Sequence, residues 1–462
     1  MRLYSEDKDY KIYSGSMLDM LDVIEPNSID SIITDPPYEL GFMAKSWDKS
    51  GIAFQKETWE KCFNVLKSGG YLLAFGGSRT FHRIACAIED AGFEIRDTIM
   101  WLYGSGFPKS MNIGLAVDKK NGVESEVVGL KKQNGAKFKL TQELINNGGF
   151  NDASRQEFEV KKATNEWAGW GTQLKPAYEP IIVARKPIEN TIVDNVLKYR
   201  VGGINIDECR VGDEHFTITN GEYDGAQQRS LVNDVKRTPK DYYGRFPANV
   251  ILTYDETDKN EVCGGMPYTS STYKADGQHE QDIHRENAEF LKYGYAQRVD
   301  SSSYNDEGSA SRYFYCAKAN KKDRDEGLML FEEKTAGQRT NRKDGSAGIN
   351  AYAGATGSAK NFHPTVKPIE LMQYLVRLVS PKGATILDCF MGSGSTGKAV
   401  MFENRERKAN YKFIGIELTE EYLPICKSRI DYGKYKYEYD IKQEQAESMK
   451  EHGFMQQSIF DL

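Results

Sequence analysis

Short apolar runs alternate with amphipathic segments in the first hundred residues of the chain. The apolar runs have the length and pattern of strands, and the amphipathic segments repeat apolar residues at helical spacing. The predicted strands are 10–13, 29–33, 71–75 and 93–102, and the predicted helices are 17–24, 54–66 and 81–91. Strands that alternate with helices are typical of a parallel, doubly wound α/β sheet.

The same alternation returns at residue 361, after a long interval. Predicted helices lie at 369–379 and 422–430, and predicted strands at 385–388 and 411–416. Residues 111–360 are mostly rich in Gly, Ser, Asn, Asp and Tyr, which indicates a large irregular insert. Within it, we expect the apolar run at 178–187 to rejoin the sheet, and residues 431–462 to form a charged, exposed tail.

Composition indicates a globular protein and excludes several classes. Of 462 residues, 39% are hydrophobic and 28% are charged, and the net charge of −6 indicates no nucleic-acid partner by itself. Seven cysteines without C-x-x-C spacing and six scattered histidines argue against a disulfide framework and against a metal site. The sequence has no apolar run near the ~20 residues of a membrane span and no signal core, so we expect a cytoplasmic protein.

The stretch Thr34-Asp35-Pro36-Pro37-Tyr38 follows the apolar run 29–33. Neither proline has an N–H, and each restrains the preceding residue to an extended conformation. We therefore expect the Asp35 carboxylate and the Pro36 carbonyl to be fixed acceptors beside the Tyr38 ring. A planar group with an amino substituent could stack on that ring and donate to both acceptors. An ordinary turn is the alternative, because Asp-Pro and Pro-Pro are common turn dipeptides.

A glycine-rich turn, Gly392-Ser393-Gly394-Ser395-Thr396-Gly397, lies between a predicted strand and a predicted helix. It fits G-x-G-x-x-G, and Glu417 follows about 20 residues later at the end of the next strand. This arrangement predicts a nucleoside cofactor whose ribose hydroxyls Glu417 could bind. NAD(P) and S-adenosylmethionine are both candidates. Asp388 would repel a pyrophosphate but could face a cationic amino group, and together with the Asp35 stretch this favours S-adenosylmethionine.

The two motifs together resemble those of the DNA amino-methyltransferases, which act on N6 of adenine or N4 of cytosine. Residues 34–38 look like the catalytic motif of that family, 388–394 like its cofactor motif, and 363–368 like a further cofactor motif. The order, with the catalytic motif first, is similar to the permuted beta group. Pieces that look like bacteriophage-type members lie at 104–108, 245–249 and 313–318.

The resemblance implies a circularly permuted, Rossmann-like methyltransferase sheet with a target-recognition insert. Residues 1–110 would be its catalytic half, 111–360 the insert and 361–430 its cofactor half. The implied catalytic residues are Asp35, Pro36, Pro37 and Tyr38. The implied residues for S-adenosylmethionine are Asp388, Phe390, Gly392, Gly394, Thr396, Glu417, Thr365 and Lys367, the last two over its methionine end. Gly15-Ser16-Met17 lacks the acidic residue that many members carry in the corresponding turn.

The resemblance also implies a function and a partner. The chain would be a site-specific DNA methyltransferase of the restriction-modification kind, and an aspartate at the first catalytic position favours N6 of adenine. N4 of cytosine is the alternative. A non-catalytic DNA-binding protein on the same scaffold, an RNA or protein-amide methyltransferase and an NAD-dependent oxidoreductase are the rivals.

The end of the chain suggests a further contact. Gln456-Gln457-Ser458-Ile459-Phe460 resembles the peptide by which bacterial proteins bind the replication sliding clamp. The alternative is that Ile459 and Phe460 pack against the protein itself. A homodimer is also compatible with the sequence, which fixes neither the oligomeric state nor the recognition sequence.

Overall fold

A mixed sheet of ten strands forms the centre of the fold in the computed structural model. The structure describes residues 2–40, 48, 50–104, 110–132, 157–218, 240–254, 266, 268–272, 305–318, 321–334 and 359–436. In chain order the strands are β1 (Arg2–Glu6), β2 (Tyr10–Ser14), β3 (Ile29–Thr34), β4 (Leu66–Phe75), β5 (Glu94–Leu102), β6 (Glu126–Lys132), β7 (Glu157–Lys162), β8 (Tyr178–Arg185), β9 (Val211–Ile218), β10 (Lys240–Arg245), β11 (Val250–Tyr254), β12 (Tyr268–Thr272), β13 (Asn305–Ser309), β14 (Tyr315–Lys318), β15 (Thr385–Asp388) and β16 (Lys412–Glu417).

The helices lie between these strands along the chain. They are α1 (Met17–Leu21), α2 (Lys56–Val65), α3 (Phe81–Asp90), α4 (Ile113–Asn121), α5 (Ile192–Tyr199), α6 (Lys321–Asp325), α7 (Ile369–Val379), α8 (Ser395–Arg407) and α9, which spans 423–436 in the described residues. Short 3-10 turns lie at Ile52–Phe54, Asp207–Cys209, Ala310–Tyr313 and Glu420–Tyr422. Among the described residues, no helix combines the length and the apolar character needed to cross a bilayer.

The strand order of the large sheet is β1-β2-β16-β15-β3-β4-β8-β5-β11-β14. Strands β2, β16, β15, β3 and β4 are parallel, and β8 runs antiparallel between β4 and β5. Strands β5, β11 and β14 are again parallel. The doubly wound α/β class predicted from the alternation of elements is therefore confirmed. The two ends of the chain meet in the middle of the sheet, where β15 pairs with β3.

Alternate side chains of the central strands point into two separate cores. Ile33 packs with residues of α7 and α8 on one face, whereas Ile32 packs with residues of α1, α2 and α3 on the other. Successive side chains of a strand point to opposite faces, and parallel strands with helices on both faces are buried throughout. All six residues of β3 are accordingly buried.

Buried polar side chains pin the central strands to each other. Asp30 on β3 accepts hydrogen bonds from Lys67 Nζ at 2.6 Å and from the Thr385 backbone N–H of β15 at 2.7 Å. Ser31 shares a hydrogen bond of 2.7 Å with Ser380, which follows α7. These bonds satisfy polar groups that would be costly to bury alone.

The break expected between helix 54–66 and strand 71–75 is wrong, because β4 begins at Leu66, directly after α2. The backbone there bonds to the end of β8 instead: Gly69 N–H donates to Lys186 at 3.0 Å, and Lys186 N–H donates to Gly70 at 2.9 Å. Gly69 has a positive φ of 79°, which glycine adopts readily. The glycine pair thus allows an irregular strand rather than ending one.

Several elements of the middle and end of the chain escaped prediction. Strand β14 lies at the edge of the large sheet, and β6/β7, β9/β10 and β12/β13 form separate two-stranded ladders. Helix α9 continues to 436 and buries Tyr432, so the first residues of the expected tail belong to the fold. The clamp-like peptide 456–460 lies outside the described residues.

The central position of β3 leads to a stability prediction. Ile32 is fully buried, so Ile32→Ala should lower the free energy of unfolding by about 2–5 kcal/mol through lost burial and a cavity. Ile204 is 43% exposed, and Ile204→Ala, which deletes the same atoms, should change it by less than about 0.5 kcal/mol. Urea unfolding of both variants measures the difference; equal losses would contradict the packing described here.

Candidate functional site

A crevice lies above the carboxyl ends of β3 and β15. From β3 the chain continues to β4 on one side, and from β15 it continues to β16 on the other. Crossovers that leave two adjacent parallel strands in opposite directions open a crevice between them, and ligands of open α/β sheets bind there. The sequence motifs at 34–38 and 388–394 occupy this position.

The Thr34 hydroxyl joins the two motifs directly. It donates to Asp388 Oδ1 at 2.7 Å and accepts from the Phe390 backbone N–H at 3.2 Å. The Thr396 hydroxyl donates to the other oxygen of Asp388 at 2.6 Å. Burial raises the pKa of Asp388 to about 6, although these hydroxyls oppose the shift. Asp388 therefore ties the glycine turn to the catalytic motif in this structure.

The glycine turn is held in a conformation that favours glycine. Gly392 has a φ of 54° and Gly394 a φ of 74°, and α8 begins directly afterwards at Ser395. The fully buried Arg429 of α9 donates to the Ser393 carbonyl at 2.6 Å and to the Ser393 hydroxyl at 2.9 Å. The turn is thus supported from below by a guanidinium that sequence spacing did not indicate.

Glu417 ends β16 at the same edge of the sheet. Its two carboxyl oxygens accept the backbone N–H groups of Gly392 and Thr419, each at 2.7 Å. Burial raises the pKa of Glu417 to about 7, and the two N–H donors oppose that shift. Glu417, the residue predicted to bind the ribose, therefore lies beside the glycine turn. Each of its carboxyl oxygens already accepts a hydrogen bond from a backbone N–H.

The other pole of the crevice is built around Asp35. Its Oδ2 accepts from Lys367 Nζ at 2.6 Å, whereas its Oδ1 is buried and has no hydrogen-bond partner within the described part of the chain. The Tyr38 hydroxyl donates to Glu179 Oε2 at 2.9 Å. Burial, together with the neighbouring carboxylates, raises the pKa of Tyr38 well above its usual value. The phenol of Tyr38 and the carboxylates of Asp35 and Glu179 thus form one polar wall of the cleft.

The segment 363–368 connects the two poles. The His363 ring bonds to the Thr365 carbonyl at 2.5 Å, and burial lowers its pKa to about 4. A Cβ on Gly392 would come within 2.9 Å of His363 Nε2, so the ring closes over the turn. Lys367 points the other way, to Asp35. Its predicted place over the methionine end of a cofactor stays a prediction.

One cleft of about 1180 Å³ contains both poles. Asp35, Pro36, Pro37 and Tyr38 line it, as do Thr365, Lys367, Asp388, Phe390, Gly392, Thr396 and Glu417. Gly394 lies in the same turn but does not line the cleft. Ligand pockets commonly measure 300–1,000 Å³, so this cleft has room for two ligands.

Glu179 is a residue of the site that sequence reasoning missed. It lies in β8, which runs antiparallel to its neighbours, so the start of β8 reaches the edge where β3, β4 and β5 end. A carboxylate at the start of an otherwise apolar strand was the available signal. Trp101 and Tyr103 reach the cleft from the end of β5.

A comparison with protein families shows to which family this chain belongs. The model of the N6/N4 methyltransferase family, described as DNA methylase, matches residues 29–428. This chain belongs to that family.

Curated members of the DNA methylase family match in part. The type II methyltransferase M.HindIII of Haemophilus influenzae is 24% identical over 223 residues, 46% of this chain and 57% of that protein. M.HpaI of Haemophilus parainfluenzae is 33% identical over 108 residues, 22% of this chain and 34% of that protein. The DNA adenine methyltransferase YhdJ of Escherichia coli is 36% identical over 73 residues, 16% and 23% of the two chains. The chain therefore spans less than two thirds of these relatives.

Solved structures align over most of the chain at low identity. The M1.HpyAVI–SAM complex is 14% identical with a TM-score of 0.34, covering 91% of this chain and 99% of that chain. The PvuII DNA methyltransferase, described as cytosine-N4-specific, is 13% identical with a TM-score of 0.36, covering 93% and 90%.

For this DNA methylase family member, the buried Glu417 carboxyl predicts a pH dependence of stability. Its pKa is raised from 4.5 to about 7, so the folded protein holds a proton that the unfolded chain has lost between those values. The contribution of Glu417 to the free energy of unfolding should therefore fall as the pH rises from 4.5 to 7.

The variant Glu417→Gln should make that fall shallower, because it removes one of the groups that titrate. Urea unfolding at several pH values measures the slope. The exposed Glu421 supplies the control Glu421→Gln, which should keep the wild-type slope. A slope of Glu417→Gln equal to that of wild type would contradict the burial of a protonated carboxyl.

Proposed function

We propose that the chain transfers a methyl group from S-adenosylmethionine to the exocyclic amine of a DNA base that has left the helix, with N6 of adenine as the target. Membership of the DNA methylase family supports the reaction class. The joined poles of the cleft support the assignment of its two ligands.

The buried, unpartnered Oδ1 of Asp35 carries the proposal. A buried acceptor without a donor costs about 1–3 kcal/mol, so its retention calls for a ligand that supplies an N–H. An exocyclic amino group supplies one. Lys367 holds Oδ2, and the Asp35 residue lines the cleft beside Tyr38.

The pole around the glycine turn, called the cofactor pole from here on, fits a nucleoside with a positive charge. Phe390 and Glu417 line the cleft beside the glycine turn, where Phe390 could pack on a purine and Glu417 could accept from ribose hydroxyls. To do so, Glu417 would use lone pairs that its two backbone donors leave free. The acidic Asp388 lies beneath the same turn. When bound there, S-adenosylmethionine would supply an electrophilic methyl group.

The pole around Asp35 would hold the target base and is called the base pole from here on. Its residues would act by their position and their fixed charge. The lone pair of a base amine is delocalised into the ring, so the amine is a poor nucleophile. Asp35 Oδ1 and the Pro36 carbonyl, as acceptors placed off the plane of the base, would favour a pyramidal nitrogen whose lone pair is free. Their charge is arranged before the reaction, so they stabilise the positive charge that develops on the nitrogen. The surplus proton then leaves the methylated amine.

The base has to leave the duplex to reach Asp35. Extrusion costs a few kcal/mol of lost stacking, and a flat ring in the pocket offsets part of it. Tyr38 provides such a ring at the wall of the cleft, with Trp101 and Tyr103 nearby. Membership of the DNA methylase family supports DNA as the substrate. The sliding-clamp contact of residues 456–460 and the homodimer stay predictions.

The variant Asp35→Ala tests the catalytic assignment. It removes the acceptor of the amine, so transfer of labelled methyl to DNA should fall by about 10²–10³-fold or more. Binding of S-adenosylhomocysteine, measured by calorimetry, should stay within about twofold, because Asp35 is at the other pole.

A matched control is Asp22→Ala. Asp22 pairs with Lys61, has a 63% exposed side chain and does not line the cleft, so methyl transfer should be unchanged. An Asp35→Ala protein that methylates DNA at the wild-type rate would overturn the assignment. Absence of transfer by the wild-type protein would instead favour the non-catalytic DNA-binding alternative, and transfer to RNA alone would favour the RNA rival.

The target base can be identified directly. Methylated genomic DNA, digested to nucleosides and separated, should contain labelled N6-methyladenine. Aspartate at the first position of the catalytic motif supports adenine by resemblance alone. Labelled N4-methylcytosine as the product would replace adenine by cytosine and leave the rest of the proposal standing.

A further inference from the structure

Three charged side chains meet at the base pole of the cleft. Lys367 Nζ lies 2.6 Å from Asp35 Oδ2, 3.4 Å from Glu179 Oε2 and 3.2 Å from the Tyr38 hydroxyl oxygen. An ammonium has three hydrogens to donate, and these three oxygens match them. Lys367 is only 7% exposed, so its charge is buried, whereas its partners are half-buried.

The cluster is assembled from three separate segments of the chain. Asp35 follows β3, Glu179 comes from the insert on β8, and Lys367 precedes α7. Each carboxylate has a side chain that is 22% exposed, at the wall of the cleft. No sequence motif joins Glu179 to the other two, and the family motifs assign Lys367 to the cofactor.

We infer that Lys367 is a positioning residue for the target amine, and that Asp35, Lys367 and Glu179 form a buried charge triad with a net charge of −1. Lys367 holds Oδ2 of Asp35 and thereby fixes the orientation of the carboxylate that would accept from the amine. This inference rests on the proposed methyl transfer and reassigns a residue expected to bind the cofactor.

The charges explain why an ammonium is needed there. Asp35 and Glu179 both lie against Lys367, and two carboxylates that share a site do not both stay ionised without a cation between them. Burial disfavours the charge of Lys367, but Asp35 and Glu179 outweigh it and raise its pKa. The triad thus keeps Asp35 an acceptor while one negative charge remains to face the positive charge developing on the nitrogen.

The contacts of Lys367 argue against a primary role in cofactor binding. Its two hydrogen-bond acceptors, Asp35 and Tyr38, and its second ion-pair partner, Glu179, all belong to the base pole. Its ammonium lies 5.4 Å from the centre of the Tyr38 ring. The other titratable groups whose charges act on the triad or on Asp35 are Tyr103, His363 and Asp388. All three remain in the variants proposed below.

The variant Lys367→Met tests the inference through the pH profile of methyl transfer. Without the ammonium, no cation lies between the two carboxylates to offset their mutual repulsion. We expect kcat at pH 7 to fall about 10–100-fold and the acidic limb of the profile to move up by about one pH unit. Binding of S-adenosylhomocysteine should stay within about twofold.

The double variant Lys367→Met/Glu179→Gln separates charge from structure. Removing the second carboxylate leaves Asp35 without a like charge, so the acidic limb should move back towards that of wild type. A purely structural role of Lys367 predicts a further loss and no recovery. Lys367→Arg, which keeps the charge, should retain the wild-type limb, and Lys382→Met, at a 62% exposed lysine outside the cleft, is the matched control.

Urea unfolding at pH 5 and pH 8 tests the triad without catalysis. The loss of stability caused by Lys367→Met should be larger at pH 8, where both carboxylates are ionised, and the double variant should reduce that excess. A tenfold weaker binding of S-adenosylhomocysteine with an unmoved acidic limb would overturn the inference. A stability loss independent of pH would overturn it as well, even if the wild-type protein proved inactive on DNA, which bears on the proposed function separately.

Discussion

The hydrogen bond from the Thr34 hydroxyl to Asp388 is the interaction on which the site depends. It joins residues 354 positions apart along the chain, over a distance of 2.7 Å between the two oxygens. Because β3 and β15 are neighbours in the sheet, this bond fixes the height of the catalytic motif relative to the glycine turn. Phe390 N–H and Thr396 complete the same network, so both poles of the cleft share one set of buried donors and acceptors.

Burial of carboxylates gives the cleft its electrostatic character. Asp388 and Glu417 lie at one pole and Asp35 and Glu179 at the other, and among the residues described at the base pole Lys367 contacts both carboxylates. Such a site suits a ligand that is positively charged or becomes so during the reaction. Beside the glycine turn, hydroxyl groups and backbone N–H groups stabilise the buried carboxylates of Asp388 and Glu417. Around Asp35, the ammonium of Lys367 stabilises the carboxylates.

The sequence allowed the doubly wound class and the two poles to be predicted, because both follow from local patterns. Strand 385–388 and helix 369–379 agree with the structure to the residue. Glu179 could not be predicted, because its place depends on β8 entering the sheet antiparallel between β4 and β5. The contact of Lys367 with Asp35 could not be predicted either, because the spacing of residues along the chain does not show which of them meet in space. A break was expected between helix 54–66 and strand 71–75, because the sequence does not show that the backbone at the end of β8 bonds to Gly69 and Gly70.

The order of the strands divides the sheet into two functional sides. Strands β16 and β15 carry the glycine turn and Glu417, whereas β3, β4, β8 and β5 carry the base pole. The insert contributes β8, β11 and β14, all on the side of the base pole. These strands attach the insert to the sheet next to Asp35 rather than next to the glycine turn. The order of the elements along the chain makes this arrangement possible, because the chain leaves the sheet after β5 and contributes β8, β11 and β14 before β15 begins.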